Sequence, residues 1–180
     1  MLHKRSFKLA AVPAPSGSDK LRRALWRLVE RTAYGWSPTP FHRWRCFLLR
    51  SFGAKIEVGA HPYPSARVWA PWNLRMGRAS CLGPEATCYS VAEIAIGDYV
   101  TISQGAYLCS ATHDYRDPNF PLVVGNISIE DGAWVAAGAF VGPGVKIGKG
   151  AIVGARAVVV KDLEPGVVVA GNPARQVGSR

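Results

Sequence analysis

The chain has 180 residues, 48% of them hydrophobic, and a formal net charge of +10, which is room for one ordinary globular domain with a buried core. No apolar run approaches the roughly 18 residues needed to cross a bilayer. The start, MLHKRSFKLAAVPAPSGSDK, is basic but lacks the apolar centre of a signal peptide, although its APS could pass for a cleavage site, so a cytoplasmic protein is expected.

The charge is uneven. Residues 1–55 carry twelve Lys and Arg against two acidic residues, whereas residues 56–180 carry ten of each, so two regions with different tasks are expected. In the first, SDKLRRALWRLVERTAY sets Leu21, Leu25, Leu28 and Val29 on one helix face with arginines opposite, and Ser18 or Asp19 is placed to cap it. SPTP breaks that helix and FHRWRCFLLRSF resumes it. Arginine interleaved with Trp26, Trp36 and Trp44 suits an anionic membrane surface. No motif of nucleic-acid readers accompanies the charge, so nucleic acid is not an expected partner.

The second region is periodic. Ile129, Val135, Val141, Ile147, Val153 and Val159 follow one another at steps of six, and the register recurs at Ile56, Pro62 and Val68, at Met76, Leu82 and Cys88, and at Ile96, Ile102 and Leu108. Between these triplets the step is eight, from Val68 to Met76 and from Cys88 to Ile96. A period of six fits neither an amphipathic helix nor an alternating strand. It predicts a parallel β-helix of about five coils: three short strands per coil, one aliphatic side chain per strand pointing inward, and one corner enlarged. Gly serves corners that demand positive φ. The helical segment 1–55 would cap the open end of the coil 56–180, whose exposed strand edges otherwise invite aggregation.

From Leu108 to Ile129 the step is twenty-one, so SATHDYRDPNF and its flanks, 109–128, grow from that same corner. Loop closure costs only logarithmically in length, and long loops on rigid scaffolds are where function concentrates. Four cysteines, Cys46, Cys81, Cys88 and Cys109, show no metal-ligand spacing and are expected as buried thiols.

These hexads, the HDY loop and the tail KDLEPGVVVAGNPARQVG resemble the hexapeptide-repeat acyltransferases. LLRSFGAKI, PWNLRMG and AWVAAGAFVGPGVKIGKGAIVGARAVVVKDL resemble their colanic acid biosynthesis acetyltransferase branch over roughly residues 20–180. The resemblance implies a left-handed coil, a homotrimer with sites between neighbouring subunits, and acetyl-CoA as co-substrate for O-acetylation of a saccharide acceptor. It implies that His113 is the general base, a role suited to an imidazole whose unperturbed pKa lies near 6.5. The acceptor holding its other ring nitrogen could be Asp114, Asp98 or a backbone carbonyl.

Transferred residue by residue, the resemblance lays Trp134 along the pantetheine arm and presents backbone groups at Ala137 and Ala155. Val160 and Lys161 match a Thr-Lys pair near the nucleotide end, with the hydroxyl missing here, and Arg175 matches a further basic contact. The acceptor side departs from galactoside- and maltose-type relatives: CLGPEATCYS stands in place of their Asn and Asp and offers Glu85, Tyr89 and Ser90, with Asp114 beside the base. An acyl-cysteine at Cys109, N-acetylation of an amino sugar and a non-catalytic scaffold are the alternatives. A zinc carbonic anhydrase needs three histidine ligands. The coil offers only His61 and His113, so no metal is expected.

Overall fold

The structure, a computed structural model, describes residues 9–11 and 16–180; His3 lies outside them. Residues 55–170 wind as a parallel β-solenoid with three faces. The first face stacks Lys55–Ile56, Leu74–Met76, Ile94–Ile96, Ile127–Ile129 and Lys146–Ile147. On the second lie His61–Pro62, Cys81–Leu82, Thr101–Ile102, Trp134–Val135, Ile152–Val153 and Val167–Ala170. The third holds Arg67–Val68, Thr87–Tyr89, Tyr107–Cys109, Phe140–Val141 and Val158–Val159. Five coils are complete. A sixth, begun by Leu163 pairing with Ile147 and continued by Val167–Ala170, extends the expected count of about five. The tail supplies it, and its last strand, Arg175–Ser179, folds back antiparallel on Val167–Ala170.

The step of six works because each face sends two side chains inward. Besides the aliphatic ladder, the residue two positions earlier is buried on every face, as at Ala60, Ala66, Ala86, Ala133 and Ala157. On the second and third faces that position is mostly alanine, whereas the first face fills it with Leu74, Ile94, Ile127 and Val145. Ser80 takes this position too, and its hydroxyl donates to Gly77 O at 2.7 Å. Fully buried polar atoms need such partners.

The N-terminal cap closes the open edge by supplying a donor to each face. Arg50 donates to Ile56 O through Nε and Nη2 at 3.0 and 2.7 Å, Arg45 Nε to Pro62 O at 2.7 Å, and Trp26 Nε1 to Val68 O at 2.6 Å. Ile56, Pro62 and Val68 are the equivalent inward positions of the first coil, so one orphan carbonyl per face is satisfied. Arg45 is wholly buried, and its remaining N–H groups reach Ser37 Oγ and the carbonyls of Pro38 and Thr39.

Two helices carry these donors, α1 (Gly17–Val29) and α2 (His42–Ser51), with a five-residue π turn at Glu30–Tyr34. The N-cap is Ser16, in a reciprocal capping box with Asp19, instead of Ser18 or Asp19. At 3.6 residues per turn Tyr34 would stand about 80° round the helix from Trp26. The wider π turn returns it to the same face, where the two rings meet edge to face with centroids 5.9 Å apart.

The docked face of α1 differs from the expected one. Leu21, Leu25 and Leu28 are 63%, 50% and 63% exposed. The contact is made by Trp26 and the arginines: Arg22 lies 4.0 Å over the Trp72 ring and donates to Phe52 O, and Arg27 lies 4.6 Å over Trp69. Guanidinium stacking on tryptophan, together with Trp26 burial, outweighs burial of three leucines.

Candidate active site

The enlarged corner lies between the third and first faces. It runs through residues 69–73 in the first coil, 90–93 in the second and 110–126 in the third. Cys109 and Ile127, within the expected excursion 109–128, are already paired with Tyr89 and Ile94 in the flanking sheets. Buried serines ladder this corner. Ser90 Oγ receives Ala70 N–H and donates to Ala70 O, both at 3.0 Å, while Ser110 Oγ receives Ala92 N–H at 2.9 Å and donates to Tyr89 O at 2.8 Å. Ser90, one of the groups offered by CLGPEATCYS, therefore faces inward and is fully buried. A serine two residues after the inward ladder position occurs only where this corner is enlarged, a sequence signal for its structural role.

On this base stands a hairpin. Ala111–His113 pairs antiparallel with Leu122–Val124, His113 opposite Leu122. Ala10–Ala11 adds a third strand on the far side of Leu122–Val124, a brace with no signature in the sequence. The tip folds on its own carboxylates: Asp114 Oδ1 accepts Arg116 N–H at 3.0 Å, and Asp117 Oδ1 accepts Asn119 N–H at 2.9 Å.

His113 Nδ1 lies 2.9 Å from Phe120 O, and the two rings stack with centroids 4.4 Å apart and planes 5° from parallel. A carbonyl oxygen only accepts. The neutral imidazole therefore carries its proton on Nδ1 and leaves Nε2 with a lone pair, the form a base requires. Phe120 holds φ 48, a left-handed conformation that side chains rarely adopt, and the tip's hydrogen bonds keep it there. The orienting group is thus the backbone carbonyl. Asp114 is engaged in its own turn. Asp98 lies on another edge, between the first and second faces, where it accepts Arg78 N–H at 2.7 Å. No side-chain pattern could have singled out Phe120, because its acceptor is main chain.

Cys109, half-buried, donates Sγ–H to Ala111 O at 3.1 Å, and burial pushes its thiol up. Cys88, fully buried in the core, is pushed up to about 12. All four cysteines are free. Among the described residues no three His, Cys, Asp or Glu side chains converge as a metal site.

Trp134 projects from the second face, 45% exposed, with its ring fixed by Nε1–H donated to Ser103 Oγ at 2.8 Å. Ala137 and Ala155 occupy equivalent corners between the second and third faces. Neither of their N–H groups has a hydrogen-bond partner among the described residues. In the first two coils the same corner position is Pro64 and Pro84, residues that have no N–H to satisfy. The corner thus presents outward-facing donors wherever proline is absent. Val160 and Lys161 are exposed on the edge between the third and first faces, and Arg175, also exposed, pairs with Ala170 on the second.

Glu85 sits at the second-to-third-face corner of the second coil with φ 59, where the next two coils have Gly105 and Gly138. Tyr89 lies on the third face between Trp69 and Tyr107. Both line one cavity of about 1050 Å³ between that face and the cap. The expected site residues therefore divide. Glu85, Tyr89, Ala137 and Ala155 lie on the third face or its boundary with the second, Trp134 and Arg175 on the second face, and His113, Asp114, Val160 and Lys161 on the edge between third and first. A single chain does not gather them into one pocket.

The chain is 41% identical over 164 residues to WcaF of Escherichia coli K12, a protein whose name makes it an acetyltransferase of colanic acid biosynthesis, covering 91% of this chain and 90% of that one. This chain belongs to the hexapeptide-repeat acetyltransferases. Residues 126–161 match the family described as bacterial transferase hexapeptide (six repeats). The fold is shared with the hexapeptide-repeat acetyltransferase VCA0836 of Vibrio cholerae, with TM-score 0.82 and 26% identity over 91% of this chain and 93% of that one. It is shared as well with a galactoside acetyltransferase solved with coenzyme A, at TM-score 0.84 and 22% identity over 93% and 84% of the two chains.

Proposed function

We propose that this acetyltransferase moves the acetyl group of acetyl-CoA directly to a sugar hydroxyl of an exopolysaccharide or its precursor, with His113 as general base. The observation that carries the reading is the His113–Phe120 carbonyl bond, which leaves Nε2 unprotonated on the outgrown corner. Nε2 takes the hydroxyl proton as the sugar oxygen attacks the thioester carbonyl. The tetrahedral intermediate collapses, and the imidazolium returns its proton to the departing CoA sulfur. The Phe120 carbonyl also stabilises the imidazolium while that proton is held. VCA0836 has been solved with acetyl coenzyme A, and WcaF is named for an exopolysaccharide pathway, which supports the donor and the acceptor class.

Trp134, Ala137, Ala155, Val160, Lys161 and Arg175 would hold acetyl-CoA, with Glu85, Tyr89 and Asp114 on the acceptor side. Their distribution over separate edges supports a homotrimer whose sites lie in the clefts between neighbouring subunits, the partner bringing its own edge to the base. The outward residues Leu21, Leu25, Leu28 and Trp36, with the exposed Lys20 and Arg43 of the cap, support peripheral contact with an anionic membrane at the cytoplasmic face. No helix among the described residues is long and apolar enough to cross a membrane.

An acceptor screen of hydroxyl and amino sugars, read by release of free CoA and run beside His113→Ala, tests the proposal. Turnover with a hydroxyl sugar, lost in the variant, supports it. Turnover confined to amino sugars, or undiminished in the variant, refutes it.

A further inference from the structure

The cavity between the cap and the third face has a composition that single-sugar recognition does not account for. Its floor is an aromatic band on successive coils, Trp69, Tyr89 and Tyr107, with neighbouring centroids 5.1 and 6.5 Å apart; Arg27 already stacks on Trp69, which leaves Tyr89 and Tyr107 as the open rings. Flat aromatic faces of this kind suit the apolar face of a pyranose ring. The wall toward the cap is basic: Arg27, Arg31 and Arg67 all line the cavity. The carboxylates there are Glu85 and Glu30, and Glu30 Oε1 already accepts Val68 N–H at 2.8 Å. Among the described residues none of the three arginines is in an ion pair. Glu30 lies near enough to all three for each to favour its charged form, so three guanidiniums stand against two carboxylates and the cavity keeps a net positive charge. That excess raises its potential for an anion, and guanidinium forks match phosphate oxygens.

The two ends of the cavity are ordered. At the upper end, Tyr89 O accepts both N–H and Oγ–H of Ser110, three residues before His113, so the aromatic floor meets the root of the hairpin that bears the base. At the lower end lie Arg27 and Arg31 of the cap and Arg67 of the first coil.

We infer that this cavity takes a saccharide linked through a diphosphate, the sugar on Tyr89 and Tyr107 and the diphosphate on Arg31 and Arg67. The inference rests on the acetyl-transfer reading for its purpose, and names the acceptor as a diphosphate-linked sugar in place of a free one. Either a nucleoside diphosphate or a lipid diphosphate supplies that chemistry.

Calorimetric titration of the full chain with glucose, UDP-glucose and a short-chain polyprenyl-diphosphate-linked glucose tests it, with inorganic pyrophosphate as competitor. The expected result is that at least one diphosphate-linked probe binds roughly tenfold or more tightly than glucose, a difference equivalent to one good charge-assisted contact. Pyrophosphate should displace it, and the Arg31→Gln/Arg67→Gln variant should lose that advantage. The probe preferred identifies the source of the diphosphate. Equal affinity for all three probes, or no displacement by pyrophosphate, overturns the inference. The wild-type competition decides the matter even if the double variant unfolds. His113→Ala should leave this binding unchanged. Diphosphate binding without CoA release from any acceptor would sink acetyl transfer and leave the cavity's ligand standing; CoA release with free sugars alone, and no diphosphate preference, would do the reverse.

Discussion

Two edges of the same prism behave oppositely. The edge between the second and third faces is tight in all five complete coils, a four-residue turn whose third position takes positive φ at Glu85, Gly105, Gly138 and Arg156. The edge between the third and first faces is enlarged in the first three coils, where the ladder steps are eight from Val68 to Met76, eight from Cys88 to Ile96 and twenty-one from Leu108 to Ile129, and it returns to the plain step of six from Val141 to Ile147. One edge presents repeated backbone donors at fixed spacing, which suits a long extended ligand. The other builds a unique hairpin that aims a single imidazole. A solenoid thus separates a generic task from a specific one by edge.

The largest way to break this division is to remove the imidazole. His113→Ala should lower turnover by about 10²–10⁴-fold, the usual span for general-base catalysis. Because His113 is exposed, melting temperature and acetyl-CoA affinity should stay close to wild type. Steady-state CoA release, with a thermal melt and a CoA titration, checks all three.

Next in size is the foot of the hairpin. Ser110→Ala strands the Ala92 N–H and removes a donor from Tyr89 O inside a buried corner, at a cost of about 1–3 kcal/mol. Urea denaturation should show that loss. Turnover should fall further than stability explains, since the hairpin root shifts. Ser90→Ala should destabilise similarly, through Ala70, with a smaller effect on turnover.

The tight edge gives a paired test of opposite sign. Gly138→Ala forces a Cβ into φ 65 and should cost about 1 kcal/mol. Glu85→Gly relieves the same strain at φ 59 and should gain up to about 1 kcal/mol. If Glu85 touches the acceptor, the stabilised variant will have a raised KM for acceptor and an unchanged one for acetyl-CoA. Equal KM values for both substrates would confine Glu85 to the corner.

The contrast between edges also explains what the residues disclosed in advance. Period six, the recurring step of eight and the twenty-one-residue gap fix coils, faces and the enlarged corner, because each inward residue answers to a local geometric repeat. His113 was legible as the sole histidine of the outgrown corner. Phe120 as its partner was not, since a main-chain carbonyl leaves no mark in composition. The leucine stripe of α1 misled for a related reason: periodicity finds an apolar face but not its partner, and here the coil offers Trp69 and Trp72 to arginines. Ala10–Ala11 gave no signal, as two alanines acquire meaning only through pairing with Leu122–Val124.

The smallest expected effect concerns the thiol nearest the base. Cys109 lies four residues before His113, close enough in sequence to suggest an acyl-enzyme. Such a step needs the thiolate. Burial is the dominant influence and pushes the Cys109 thiol up, and the Sγ–H that donates to Ala111 O at 3.1 Å is the thiol's own proton. At neutral pH the nucleophilic form is therefore scarce, and Cys109→Ser, which keeps a donor toward Ala111 O, should change turnover by less than about twofold. Intact mass of the wild-type chain after exposure to acetyl-CoA without acceptor should show no added acetyl group. An acetylated Cys109 that discharges to a sugar would move the chemistry from the hairpin to the third face, and direct transfer at His113 would fall with it.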